Sequence, residues 1–154
     1  MQQRRTFLNN MLGLAVTTAI APAFISDIFT TNKIKALAFD AFPIFDPRPV
    51  FALAEELFPG KGNELSTVWR TKQFDYQWLR SLTHTYKDFW TVTEDALVFA
   101  GNSVKVDLTD DKRMKLMNAY LQLKVWPDVI PALTSIKNAG IKIVFLSNMT
   151  KKML

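Results

Sequence analysis

Asp40 closes an almost uninterrupted apolar run, Ile34-Lys35-Ala36-Leu37-Ala38-Phe39. Such a run, punctuated by Asp and Pro, reads as a strand covered on both faces, as in a parallel sheet. A carboxylate at the C-terminal end of that strand stands where open α/β sheets hold their ligands. Asp is also a common turn residue, and the plainer reading is that it only ends the strand. A second candidate set is Arg70, Phe74 and Trp78, four residues apart and therefore on one face of a helix. One guanidinium and two aromatic rings make either a site or a surface arginine lying over rings. The third set is Ser147-Asn148, which ends a second apolar run, Ile141-Lys142-Ile143-Val144-Phe145-Leu146, just as Asp40 ends the first. Other chemistries are excluded by composition. There is no cysteine, hence no thiolate nucleophile, disulfide or cysteine-zinc site, and the single histidine, His84, cannot make a multi-histidine metal cluster.

The elements that must position these residues follow from periodicity and punctuation. Pro43, Pro47 and Pro49 keep the first strand from continuing past Asp40. A short amphipathic helix is predicted from Arg48 to Phe58, ended by Pro59-Gly60-Lys61-Gly62. A longer one runs from about Asn63 to Leu82, with Leu65, Val68, Trp69, Tyr76, Leu79 and Leu82 on its apolar side. Thr91 or Thr93 caps a third helix that ends at Gly101-Asn102, and Asp107 to Asp111 opens a fourth reaching about Lys124. Trp126-Pro127-Asp128 starts a fifth that ends at Asn138-Ala139-Gly140 and feeds the second strand. A helix entering a strand through a glycine turn is half of a βαβ crossover, so the helical block between the two strands is an inserted cap.

The N-terminus reads as an address. Residues 2–23 carry paired Arg4-Arg5, a mild apolar segment and Ala21-Pro22-Ala23, the pattern of a secretory signal. Arg4-Arg5-Thr6-Phe7-Leu8 resembles the twin-arginine export signal. The uncharged run from Met11 to Ser26 is shorter than the ~20 residues a bilayer crossing needs. The expected location is periplasmic or secreted, with membrane contact only during export. Net charge is +5, of which Arg4 and Arg5 supply two. No basic run interleaves with aromatics, so nucleic acid is not expected as a partner.

Three segments in order resemble the haloacid dehalogenase superfamily, and within it the type II (L-2-haloacid) dehalogenases. They are Ala38-Phe39-Asp40-Ala41-Phe42, the long stretch Trp69-Arg70-Thr71-Lys72-Gln73-Phe74-Asp75-Tyr76-Gln77-Trp78-Leu79-Arg80-Ser81-Leu82, and Leu146-Ser147-Asn148. The resemblance spans about residues 34–150. It implies an α/β fold: a doubly wound, HAD-like parallel-sheet core formed here by 34–47 and 125–154, with a helical cap at 48–124, following a signal peptide (1–23) and a linker (24–33).

It also implies a mechanism. Asp40 would attack C2 of a 2-haloalkanoate and displace halide, and water would then hydrolyse the aspartyl ester with overall inversion. Such covalent catalysis needs a fixed, ionised, poorly solvated carboxylate and donors where negative charge accumulates. The resemblance gives Arg70 the departing halide, Ser147 and Asn148 the orientation of substrate or Asp40, and Phe42, Phe74 and Phe89 a lining that keeps water away. Phosphatases of the superfamily place a second aspartate two residues after the nucleophile to handle a leaving-group proton. Phe42 stands there, which favours carbon–halogen chemistry and argues against an obligatory metal or cofactor. The expected partner is a small 2-haloacid, with a homodimer for a full-length protein. Another superfamily hydrolase, such as a magnesium-dependent phosphatase, and an exported non-catalytic binding domain are the competing readings.

Two departures carry expectations of their own. Pro43-Ile44 replace the family's glycine-threonine turn, so the hydroxyl that would bond Asp40 is missing and the loop is stiffer. The sequence also stops at Leu154, just after the second strand, and Lys151 and Lys152 lie too close to Asn148 to be the family's later lysine. On the resemblance the chain is expected to be an N-terminal fragment or a prematurely ended reading frame. Only two parallel strands would remain, with open edges, and the chain would be inactive or marginally folded.

Overall fold

The computed structural model describes residues 34–154. The signal expected at 2–23 and the linker expected at 24–33 lie outside the described residues. Of the described chain, Ala38–Leu154 forms one compact unit, and residues 34–37 fall outside it.

Two strands, β1 (Ala36–Phe39) and β4 (Lys142–Phe145), are hydrogen-bonded neighbours in a parallel sheet. The Leu146 N–H donates to the Phe39 carbonyl at 2.9 Å, so both strands deliver their C-terminal ends to one place. Between them come six helices: α1 (Ala41–Ile44), α2 (Arg48–Leu57), α3 (Gly62–Leu82), α4 (Phe89–Val104), α5 (Asp110–Ala119) and α6 (Val129–Asn138). A second, antiparallel ladder pairs β2 (Phe45–Asp46) with β3 (Lys124–Val125), in the register Phe45 to Val125 and Asp46 to Lys124. This is the α/β architecture with an inserted helical block that the element order predicts.

The core lies among α2 to α5. Val50 and Ala54 of α2, Leu65 and Trp69 of α3, Ala96, Leu97 and Ala100 of α4, and Leu116, Met117 and Tyr120 at the end of α5 form one buried cluster. Met149 and Met153 join it from the segment after β4 and tie the Ser147-Asn148 turn to the helices. No described helix is long and apolar enough to cross a membrane.

Several expectations are corrected. The strands are not covered on both faces: β1 alternates exposed and half-buried residues, and in β4 only Ile143 is half-buried. Helix α6 packs on β4. Residues 41–44 are not an irregular loop; Asp40 caps a single helical turn, its Oδ1 accepting from the Ala41 N–H at 2.7 Å. Helix α3 turns a different face inward. Its buried positions are Gly62, Leu65, Ser66, Trp69, Gln73 and Gln77, while Leu79 and Leu82 are exposed. Two buried glutamines thus continue the stripe that Leu65 and Trp69 begin, and Gln73 finds a polar partner on α4.

Helix α4 is capped by Asp88, not by Thr91 or Thr93. The Asp88 carboxylate takes the N–H groups of Trp90 and Thr91 and the Thr91 hydroxyl, which a threonine could not do at once. The helix passes through Gly101-Asn102 to Val104 and stops at Lys105, whose φ is 58°. Gly101 is used for close approach, since a Cβ there would sit 3.0 Å from the Leu108 side chain. Helix α5 ends at Ala119, short of Lys124, because Lys124-Val125 is drawn into the ladder with β2.

Candidate active site

The two strand ends set the site. Asp40 leaves β1 in extended conformation and begins α1; its Oδ1 is held by the Ala41 N–H, and its Oδ2 takes no hydrogen bond among the described residues. A carboxylate oxygen tied to one backbone donor is fixed in direction while the other stays available. Ser147 and Asn148 leave β4 alongside. The Ser147 hydroxyl accepts from the Met149 N–H at 3.2 Å, so the turn that carries it is shaped by its own side chain. Asp40, Phe42, Phe74, Leu146, Ser147 and Asn148 line one open cavity of about 220 Å³.

Helices α1, α3 and α4 supply the aromatic wall. Phe42 sits 5.4 Å from the Phe74 ring and 5.9 Å, edge-on, from Phe89. Phe89 is fully buried and stands behind Phe42, outside the cavity lining. Arg70 is half-buried. Its guanidinium carbon lies 5.2 Å from the Phe42 ring and 5.5 Å from the Phe74 ring. Contact with two ring faces holds a planar cation at a fixed place beside the cavity, a contribution of roughly 0.5–1 kcal/mol per ring at partly exposed sites. Trp78, the third member of that helix face, is 66 % exposed and does not line the cavity.

The structure thus gathers Asp40, Phe42, Phe74, Ser147 and Asn148 around one space, with Arg70 over two of its rings and Phe89 behind Phe42. One expectation fails: Asp40 is exposed here, not poorly solvated. Asp40 stands in an open cavity at the end of a strand whose own residues are exposed or half-buried. Leu146 also belongs to the lining; in the sequence it ends the second apolar run and opens the segment Leu146-Ser147-Asn148. Among the described residues no group of three or more His, Asp or Glu side chains converges as a metal site requires. A smaller cavity of about 140 Å³, lined by Phe39, Ile44, Leu133, Ile143, Val144 and Phe145, carries no ionisable or hydroxyl side chain.

Behind the wall, Tyr120 packs edge-on against Trp69 at 5.2 Å. Burial pushes its hydroxyl up to about 12, against the opposing influence of the Arg70 charge and of Gln73. Tyr120 is therefore a neutral group at physiological pH.

Comparison with known proteins finds haloacid dehalogenases. No family model matches the sequence. The (S)-2-haloacid dehalogenase of Pseudomonas sp. (strain YL) is 42% identical over 118 residues, covering 76% of this chain and 51% of that protein. Among solved structures, the L-2-haloacid dehalogenase RSc1362 superposes with a TM-score of 0.76 at 40% identity, over 79% of this chain and 56% of the other. The L-2-haloacid dehalogenase of Xanthobacter autotrophicus with chloropropionic acid covalently bound superposes with a TM-score of 0.71 at 35% identity, over 78% and 49%. The chain spans about half the length of the curated relatives it matches.

Proposed function

We infer that hydrolytic dehalogenation of short 2-haloalkanoic acids is the activity of the whole protein, this chain belonging to the type II (L-2-haloacid) dehalogenases of the haloacid dehalogenase superfamily. In this reading an Asp40 oxygen attacks C2 of the substrate. The C2–halogen bond breaks, its electron pair leaves on the halide, and C2 is left esterified to Asp40 with inverted configuration. Water then attacks the carboxyl carbon of that ester, restoring Asp40, releasing the 2-hydroxy acid and one proton. Arg70 receives the charge of the departing halide. Ser147 and Asn148 orient the substrate carboxylate, and Phe42, Phe74 and Phe89 keep water from the halide. No proton is needed by the leaving group, which suits Phe42 at the place where a phosphatase needs an acid.

The observation that carries this reading is the shared cavity. It joins a carboxylate with one unbonded oxygen, two donor-bearing residues from the neighbouring strand end, and two rings over which a guanidinium is held. The test is covalent capture. Incubated with (S)-2-chloropropionate, the whole protein should gain an ester on Asp40 that mass spectrometry locates, and its Asp40→Asn variant should gain none. In heavy-oxygen water, hydrolysis should leave label in Asp40. An adduct elsewhere, no adduct at all, or magnesium-dependent release of phosphate from phosphoesters would overturn the assignment.

The division into core (34–47 and 125–154) and cap (48–124) belongs to the same proposal, as does export through residues 2–23. Arg4-Arg5 and Ala21-Pro22-Ala23 support export. N-terminal sequencing of the protein recovered from periplasm should then begin at Phe24, and recovery only of uncleaved cytoplasmic protein would refute it.

A further inference from the structure

Arg70 and Phe74 stand at the cavity, and each follows, by one residue, a side chain that is locked to helix α4. Trp69 donates its indole Nε1–H to the Thr93 carbonyl at 2.7 Å. Gln73 donates its Nε2–H to the Thr93 hydroxyl, also at 2.7 Å. That hydroxyl in turn donates to the Phe89 carbonyl at 2.6 Å, so the direction of every bond in the chain is determined. Trp69, Gln73, Phe89 and Thr93 are all essentially inaccessible to water. Residues 69 and 73 occupy one line along α3, and 70 and 74 occupy the next, about 100° round the axis. One threonine on α4 therefore fixes both the rotation of α3 and its level along α4. Phe89, four residues before Thr93, meets Phe42 edge-on at 5.9 Å. The same residue thus sets where Arg70 and Phe74 stand relative to the ring next to Asp40.

We propose that Thr93, with Gln73, is a positioning residue: its hydroxyl holds the phase of α3 so that the Arg70 guanidinium stays over Phe42 and Phe74. An apolar residue of the same shape would fill the space but would leave the Gln73 amide without its acceptor, and buried amides turn to find one. Small rotations matter here, because a displacement of about 1 Å at a reacting group can cost on the order of 100-fold in rate. The proposal deepens the dehalogenase reading and rests on it for its catalytic consequence, but its geometric content can be measured without turnover.

The experiment compares wild type, Thr93→Ser and Thr93→Val in the full chain. The side-chain protons of Arg70, assigned by their loss in Arg70→Lys, should be shifted upfield in wild type by the two rings. That shift should persist in Thr93→Ser, which keeps the hydroxyl, and collapse in Thr93→Val. Gln73→Met repeats the test from the other side should Thr93→Val not fold. Where halide release from (S)-2-chloropropionate is measured, kcat should fall about 10- to 100-fold in Thr93→Val with KM changed far less, and recover in Thr93→Ser. A collapsed shift without any dehalogenation in wild type would uphold the positioning role and sink the reaction. Thr93→Val and Gln73→Met with unaltered Arg70 shifts and only lowered melting temperatures would overturn the proposal.

Discussion

At the scale of single residues, the site depends on neutral and charged groups held side by side. Tyr120 lies buried within the influence of Arg70, and burial is the larger effect, raising its ionisation to about 12. A tyrosine in the unfolded chain ionises near 10. Folding stability should thus be unaffected by Tyr120 below pH 10. It should then decline as pH rises from about 10 to about 12, where the unfolded chain alone gives up that proton. Denaturant titrations across that range should show the decline in wild type and a shallower one in Tyr120→Phe. Phe42 makes a complementary point about identity. Its ring is the common contact of Arg70, Phe74 and Phe89. Phe42→Asp would place a second carboxylate two residues from Asp40 and remove that contact. The Asp40 ester formed with (S)-2-chloropropionate should then become undetectable by mass spectrometry.

At the scale of elements, the caps and close approaches decide where helices begin. Asp88 opens α4, and Thr91, chiefly through its hydroxyl, lowers the Asp88 pKa. A carboxylate with a lowered folded pKa stabilises above the ordinary carboxylate range, and the benefit is lost as pH falls through the lowered value. Asp88→Ala should therefore cost about 1 kcal/mol near neutrality, and thermal melts should show the gap to wild type closing in acid. Helix α3 has no side-chain cap of its own at Lys61. Glu55 of α2 takes its place, accepting from the Gly60 and Asn63 N–H groups at 2.6 and 3.1 Å. That arrangement needs α2 and α3 in contact at Gly62, where a Cβ would collide with the Glu55 backbone. Gly62→Ala should destabilise by on the order of 2 kcal/mol or more in chemical denaturation. Gly60→Ala, which meets no atom, should suffer only from its φ of 76°.

At the scale of the whole described chain, the helices α2 to α5 bury a continuous core while the sheet does not. Val144, Phe145 and Leu146 are 41, 45 and 75 % exposed, and Ile130 on α6 is 65 % exposed. Apolar side chains on a short, open sheet invite association. The chain should bind a hydrophobic fluorescent dye and sediment with a concentration-dependent mass. Val144→Lys together with Ile130→Lys should reduce both effects while leaving the melting temperature close to wild type, because neither side chain belongs to the buried cluster.

Residue type and spacing by themselves determined the order of the long helices and the two strand ends, but not α1 or the β2–β3 ladder. These features are local. An apolar run ending in Asp40, a four-residue spacing from Arg70 to Phe74, and a glycine turn before β4 each express backbone and side-chain physics within a few residues. The resemblance over about 34–150 rests on the same local strings. Tertiary structure decided what local physics leaves open. Leu79 and Leu82 fit a helical stripe as well as Gln73 and Gln77 do, and Thr93 across the interface gives Gln73 the partner that lets it face inward. Asp88 outcompetes Thr91 as a cap because the Asp88 carboxylate reaches three donors at once. Coverage of β1 and β4 is likewise a property of what else packs there, and no run of hydrophobic letters can supply a layer that the neighbouring elements do not provide.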